Sequence, residues 1–260
     1  MSKIKYIIFF AILAFSAGQL LAWGPTGHRV VAQIAYDNLN CRARHRVDRV
    51  LGKHGIIYWS TWADNIKSDT IYPESYDWHF QDLDSGLSDS AVLAAMTHYP
   101  TVGGNLFRAM DSLVNLLRHD PGNVDALRFL IHIASDRFCP MHMGHLEDLG
   151  GNTIRFDWFK QPYNLHRLWD EGIINAVGYS YTEYANYLED RFADQKKAIR
   201  RMSDGELLLH NYRLTEQIYA YQQEWNGNPY VYVYRFAPDM EWQLYAAGIR
   251  LAKLLNEIYG

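Results

Sequence analysis

Residues 123–138 read Asn123-Val124-Asp125-Ala126-Leu127-Arg128-Phe129-Leu130-Ile131-His132-Ile133-Ala134-Ser135-Asp136-Arg137-Phe138. Apolar side chains crowd this stretch too densely for a solvated surface helix, so it reads as a helix packed into a core. His132 and Asp136 stand four residues apart and share one face of it. A His and an Asp turned into such a core cost on the order of several kcal/mol unless they are paired or hold a metal ion. The same stretch therefore predicts both a helical fold and a polar site inside it.

Helical patterning continues on either side. Val30, Val31, Ile34, Ala35 and Leu39 keep a 3.6-residue period behind Thr26 as a cap. Further helical stretches cover about 43–52, 89–98, 105–119, 163–177, 182–203, 205–224 and 239–258, with Asp120-Pro121-Gly122 and Gly150-Gly151-Asn152 as turns. The exception is Tyr230-Val231-Tyr232-Val233-Tyr234-Arg235-Phe236, which alternates beside Asn226-Gly227-Asn228-Pro229 and reads as an edge hairpin. No repeat, low-complexity linker or composition break divides the chain. One all-α domain over residues 23–260, with at most one small β-hairpin, is the expected architecture.

Composition narrows the function. The chain has 260 residues, 48% hydrophobic and 21% charged, which excludes a disordered or collagen-like protein. A net charge of −4 excludes a broad basic surface for duplex DNA. Two cysteines cannot build a disulfide-dense scaffold or an all-thiolate zinc site. Cys41 and Cys139 leave open either a disulfide or a buried thiol. Lys3 and Lys5, the apolar run Tyr6–Phe15 and the small residues Ser16-Ala17-Gly18 form a secretory signal over residues 1–22. The apolar run is too short to span a bilayer. The expected product is secreted or periplasmic, cut after Gly18 or after Ala22. The second cut makes Trp23 the amino terminus. Residues 1–22 carry two lysines and no acid, so the remainder stands at −6.

Histidine is the unusual count, at 11. His28 closes Trp23-Gly24-Pro25-Thr26-Gly27-His28. Asp64 and His79 lie in Trp62-Ala63-Asp64-Asn65-Ile66-Lys67 and Trp78-His79-Phe80-Gln81-Asp82. His142 follows Cys139-Pro140-Met141, and His166 pairs with Asp170 four residues on in Asn164-Leu165-His166-Arg167-Leu168-Trp169-Asp170. A single His/Asp pair at this spacing is more often a solvated helix face. Two such pairs with further His and Asp positions point to metal, and nitrogen and oxygen donors without thiolates suit a catalytic site. His45, His54, His98, His119, His145 and His210 fit no ligand position and read as surface or helix-end residues, with a supporting place behind the ligands as the alternative for His145, three residues after His142.

These motifs, in this order and at these separations, make the mature chain resemble the S1/P1 nuclease family, zinc-dependent nucleases that share an all-α fold with the zinc phospholipases C. The resemblance implies three zinc ions. One would take Asp64, His79 and His132. A second would take the α-amino and carbonyl groups of Trp23 with His28, and Asp136 would bridge the two. A third would take His142, His166 and Asp170. Three dications against three carboxylates leave about +3 at the centre, enough to draw phosphate locally to an acidic protein.

The implied reaction is hydrolysis of single-stranded DNA, RNA and 3′-nucleotides to 5′-phosphate products by a zinc-bridging hydroxide. Asp64 would orient or deprotonate the nucleophile, Lys67 would neutralise charge on the phosphoryl oxygens, and Asn152 would donate to the same phosphate. Phe80 would stack on the base while Asp82 reads its edge. A monomer without stable membrane association is expected. The chain departs from the family pattern at Ser135, usually Gly, and at Cys139 and Met141, usually Gln and Leu. A phospholipase C reusing the same cluster is the alternative, and a non-catalytic zinc-binding protein the third reading.

Overall fold

In the computed structural model, which describes residues 23–67 and 70–260, the Val124–Asp136 helix is the central element. Asn123 caps it by accepting a hydrogen bond from the Ala126 N–H, and Asp125 sits in the first turn against the positive end of the helix dipole. Every residue from Ala126 to Asp136 is buried except Arg128. That side chain lies over the Trp59 ring at 3.5 Å and pairs with Asp125 at 3.0 Å. The helix thus carries the composition expected of one surrounded on all sides. The signal segment expected over residues 1–22 lies outside the described residues.

Helices Pro25–Asp37, Leu106–His119 and Pro229–Tyr259 pack around it. Pro25–Asp37 approaches the C-terminal helix closely at Gly248. A Cβ added there would stand 2.5 Å from Ile34 Cγ2, so any larger residue forces the two helices apart.

The segment expected as a hairpin, 230–236, is helical. Asn228 caps the helix through the N–H groups of Tyr230 and Val231, and Pro229 occupies its first turn. Tyr232 and Phe236, four apart, are fully buried, whereas Tyr230 and Tyr234 face solvent. Burial at that helical spacing outweighs the strand preference of the β-branched and aromatic residues. The small sheet forms elsewhere: Arg155–Trp158 pairs antiparallel with Gln161–Asn164, closed by Phe159 and Lys160, both at positive φ.

Two expected helices are also subdivided. Residues 163–177 begin as strand, pass through a short helix Leu165–Arg167 and a π-turn Leu168–Gly172, and end in the Ile173–Val177 helix. Residues 182–203 hold the Tyr181–Arg191 and Lys196–Arg201 helices, separated by a 3₁₀ turn.

Candidate metal centre

Three ligand-bearing segments meet on the Val124–Asp136 helix because aromatic rings dock them there. Trp62 and Trp78 both contact Phe129 edge-on, at 5.0 and 4.9 Å, and Tyr72 adds a third ring at 5.3 Å. Each Trp lies one or two residues from a donor, Asp64 or His79, and Phe129 lies three before His132. One cluster therefore sets the spacing of Asp64, His79 and His132. Trp23 secures the start of the described chain: its indole N–H donates to the Ser135 carbonyl at 2.9 Å, and the Gly24 N–H donates to the Asp170 carbonyl at 2.7 Å.

The donors converge. His132 Nε2 lies 3.2 Å from Asp136 Oδ2 and 3.4 Å from Asp64 Oδ1. His79 Nδ1 lies 2.9 Å from Asp136 Oδ2. His28 Nε2 lies 3.3 Å from Asp136 Oδ1, so Asp136 turns one oxygen to His28 and the other to His79 and His132. Beyond them, Asp170 offers Oδ1 to His142 Nε2 at 3.5 Å and Oδ2 to His166 Nε2 at 3.3 Å. All eight side chains are buried or nearly so.

Four of the five imidazoles are held by the nitrogen that faces away. His132, His142 and His166 donate from Nδ1 to the carbonyls of Ser60, His79 and Gly150, at 2.7, 2.6 and 2.8 Å. His28 Nδ1 donates to Ser135 Oγ at 2.6 Å, and that hydroxyl donates in turn to the His132 carbonyl. Anchoring Nδ1–H leaves the Nε2 lone pair of each ring directed at the carboxylates, the tautomer a metal ligand requires. His28 Nε2, His142 Nε2 and Asp136 Oδ1 are buried without a hydrogen-bond partner. Such orphaned groups are costly as they stand and are satisfied by a cation placed among them. The donor set fits zinc: imidazole and carboxylate on separate elements, without a closed thiolate cage.

Electrostatics agree. Burial raises the carboxylate of Asp136, but His132 and His28 outweigh it and hold it well below the usual range. Burial likewise opposes the charging of His132, yet Asp136 and Asp64 push it up to about 10. His79 is driven down to about 3 by burial, with Lys67 adding to it. Without metal, one imidazolium shared between two carboxylates stands where positive charge is wanted.

Lys67 Nζ is 2.7 Å from Asp64 Oδ1, which puts the expected cation on the expected carboxylate. Phe80 is half-buried, its ring edge-on to Tyr76 at 6.3 Å. Asn152 joins the Gly-Gly turn to the His166 segment: its amide donates to the Leu149 carbonyl and its oxygen accepts from Asn164. Gly150 is required in that turn, being at φ +64° with the Met141 carbonyl 2.6 Å from where a Cβ would lie. Asp82 is only 6% exposed, its Oδ1 without a partner and 2.8 Å from where a Cβ on Gly150 would lie.

Burial, with Asp148 adding to it, pushes Asp82 up to about 8 against the pull of His142. The folded carboxyl therefore holds its proton where the unfolded one, near 3.9, has lost it. Its contribution to stability is full below about pH 4 and is lost as pH rises through 8, on the order of 5 kcal/mol at most. In urea titrations of EDTA-treated protein, Asp82→Asn is expected to gain on wild type steadily across that window. A constant difference from pH 4 to 8 would contradict this reading.

Several participants carried no recognisable signal in the sequence. Ser135 fixes the tautomer of His28. His145, read as a surface residue with support of the ligands as the alternative, is buried, stacks on Tyr219 at 3.6 Å and contacts Glu216 Oε1 at 2.6 Å. Tyr219 donates to Asp148, which also accepts the Gly151 N–H and so braces the Gly-Gly turn. Cys41 and Cys139 are unpaired, the first exposed and the second buried.

Fold and site together define an all-α protein with a buried histidine–aspartate centre able to hold metal ions. The S1/P1 Nuclease family model matches residues 23–260, and the chain belongs to that family. It is similar to Endonuclease 3 of Arabidopsis thaliana, 26% identical over 279 residues covering 98% of this chain and 95% of that protein. Nuclease S1 of Aspergillus oryzae is 29% identical over 65% of this chain and 62% of its own, and Nuclease P1 of Penicillium citrinum 24% identical over 92% and 98%. The chain is accordingly a nuclease, a hydrolase of nucleic-acid ester bonds.

Proposed function

We propose that this chain is a secreted phosphodiesterase holding three zinc ions, which cleaves single-stranded DNA, RNA and 3′-nucleotides to 5′-phosphate products. One observation carries the proposal. Four imidazoles, anchored through Nδ1, turn Nε2 onto three buried aspartates. Asp64, His79 and His132 would hold one ion, Trp23 and His28 the second with Asp136 shared between them, and His142, His166 and Asp170 the third. When bound, zinc supplies Lewis acidity toward phosphoryl oxygens and a water of pKa near 7.

The chain's own residues do the remaining work. Asp64, kept ionised by His132 and Lys67 despite its burial, accepts a proton from or orients the attacking water. Lys67, beside it, offsets charge growing on the phosphoryl group. Asn152 would donate to the same group. Phe80 offers a ring face to an unpaired base, which a duplex cannot present, and Asp82 would read the base edge.

Among the described residues no helix is long and apolar enough to cross a membrane. Parallel assays on single-stranded DNA, RNA, a 3′-nucleotide and a phosphatidylcholine emulsion test the reading. Lipid turnover without nucleic-acid cleavage would transfer the site to a phospholipase C. Loss of cleavage in Asp64→Asn dismisses a non-catalytic zinc protein, and amino-terminal sequencing of exported protein tests the cut after Ala22 that frees the Trp23 amine.

A further inference from the structure

We propose that Cys139 supplies a thiolate ligand to the metal site built on His142, His166 and Asp170, an assignment that rests on the zinc reading above. Cys139 opens the 3₁₀ turn Pro140–Met143 that carries His142, and its side chain is fully buried. Its Sγ lies 3.3 Å from Asp170 Oδ1, on the same oxygen that faces His142 Nε2 at 3.5 Å. Donor atoms of Cys139, His142 and Asp170 all fall within 4.8 Å of one another. A second observation points independently into this space. His142 is 2% exposed, and its Nε2 has no hydrogen-bond partner although Nδ1 is firmly bound to the His79 carbonyl. An imidazole lone pair, a carboxylate oxygen and a sulfur therefore surround one position, with His166 reaching the other oxygen of Asp170 at 3.3 Å.

The step is a simple exchange: the S–H bond breaks, a sulfur–zinc bond forms and the proton leaves to solvent, with no change of oxidation state. Two imidazoles, one carboxylate and one thiolate bring a zinc dication to zero net charge, where two imidazoles and one carboxylate leave +1. Four protein donors also approach the closed coordination of a structural zinc. The ion here is held more tightly and polarises phosphate less than one in an all-nitrogen-and-oxygen site. Cys139 is thus a residue that sets metal affinity and division of labour between the ions.

X-ray absorption at the zinc edge of the full, zinc-loaded protein tests this without a variant. The expected result is one sulfur neighbour per three zinc ions at about 2.3 Å, outside a nitrogen and oxygen shell at about 2.0–2.2 Å. The sulfur shell disappears in Cys139→Ser and persists in Cys41→Ser, which excludes the exposed cysteine. In the cobalt-substituted protein a thiolate-to-metal band in the near ultraviolet accompanies it and is absent in Cys139→Ser. In chelator competition the most tightly held zinc of Cys139→Ser is released at least tenfold more readily. Three bound zinc ions with no sulfur neighbour would overturn the assignment and leave the phosphodiesterase reading standing. A sulfur shell that survives Cys139→Ser would also overturn it, and a protein that binds no zinc sinks both.

Discussion

EDTA is expected to abolish cleavage of single-stranded DNA and to lower the melting midpoint of the protein by about 8–16 °C. Residues 28 to 170 contribute the side-chain donors, and they come from five separated segments. A metal ion that binds these only in the folded state stabilises by about 4 kcal/mol when it stands at a thousand times its dissociation constant. At roughly 2–4 °C per kcal/mol for a domain of this size, one such ion accounts for the predicted shift. Removing it also returns His28 Nε2 and Asp136 Oδ1 to burial without partners. Calorimetry with and without chelator, followed by zinc re-addition, measures the effect. An unchanged midpoint would mean that the buried histidines and aspartates satisfy one another and hold no ion.

Asp136→Asn carries the second large effect: a fall in kcat/KM of at least about 10³-fold, or about 4 kcal/mol of transition-state stabilisation. The substitution nearly preserves volume, so the helix is not expected to lose its packing. What disappears is the one carboxylate that faces His28 with one oxygen and His79 and His132 with the other. Both metal positions that share it are weakened together, and metal analysis is expected to find about two ions fewer per chain. Wild-type circular dichroism alongside the lost activity separates this outcome from unfolding. A variant that kept three zinc ions and near-normal rates would remove Asp136 from the centre of the reading.

Much of the centre was legible in the sequence because its donors sit in short motifs that also contain their anchors. Trp62 and Trp78 are the residues that dock Asp64 and His79, and each lies beside the donor it places. The helix under His132 was legible from its apolar density. Interactions between distant segments were not. Ser135 reaches His28 across 107 positions, and Cys139 reaches Asp170 across 31. Neither leaves a local pattern. The 230–236 run misleads for a related reason: alternation describes a strand, but Tyr232 and Phe236 pack against Trp158, Trp169 and Tyr221, and tertiary burial decides. The true hairpin turns on Phe159-Lys160, which lacks the Asn-Gly signature of such turns.

The ring of Phe129 is shared by three neighbours, and two of them, Trp62 and Trp78, stand within two residues of the donors Asp64 and His79. On the zinc reading, metal occupancy is therefore expected to act as a gauge of how well the interior is assembled. Trimming that ring to Leu, at a position that never meets the ion, would loosen the grip on metal before any gross melting is visible. Variants far from the chemistry would then lose activity by demetallation, and surplus zinc in the medium would restore it.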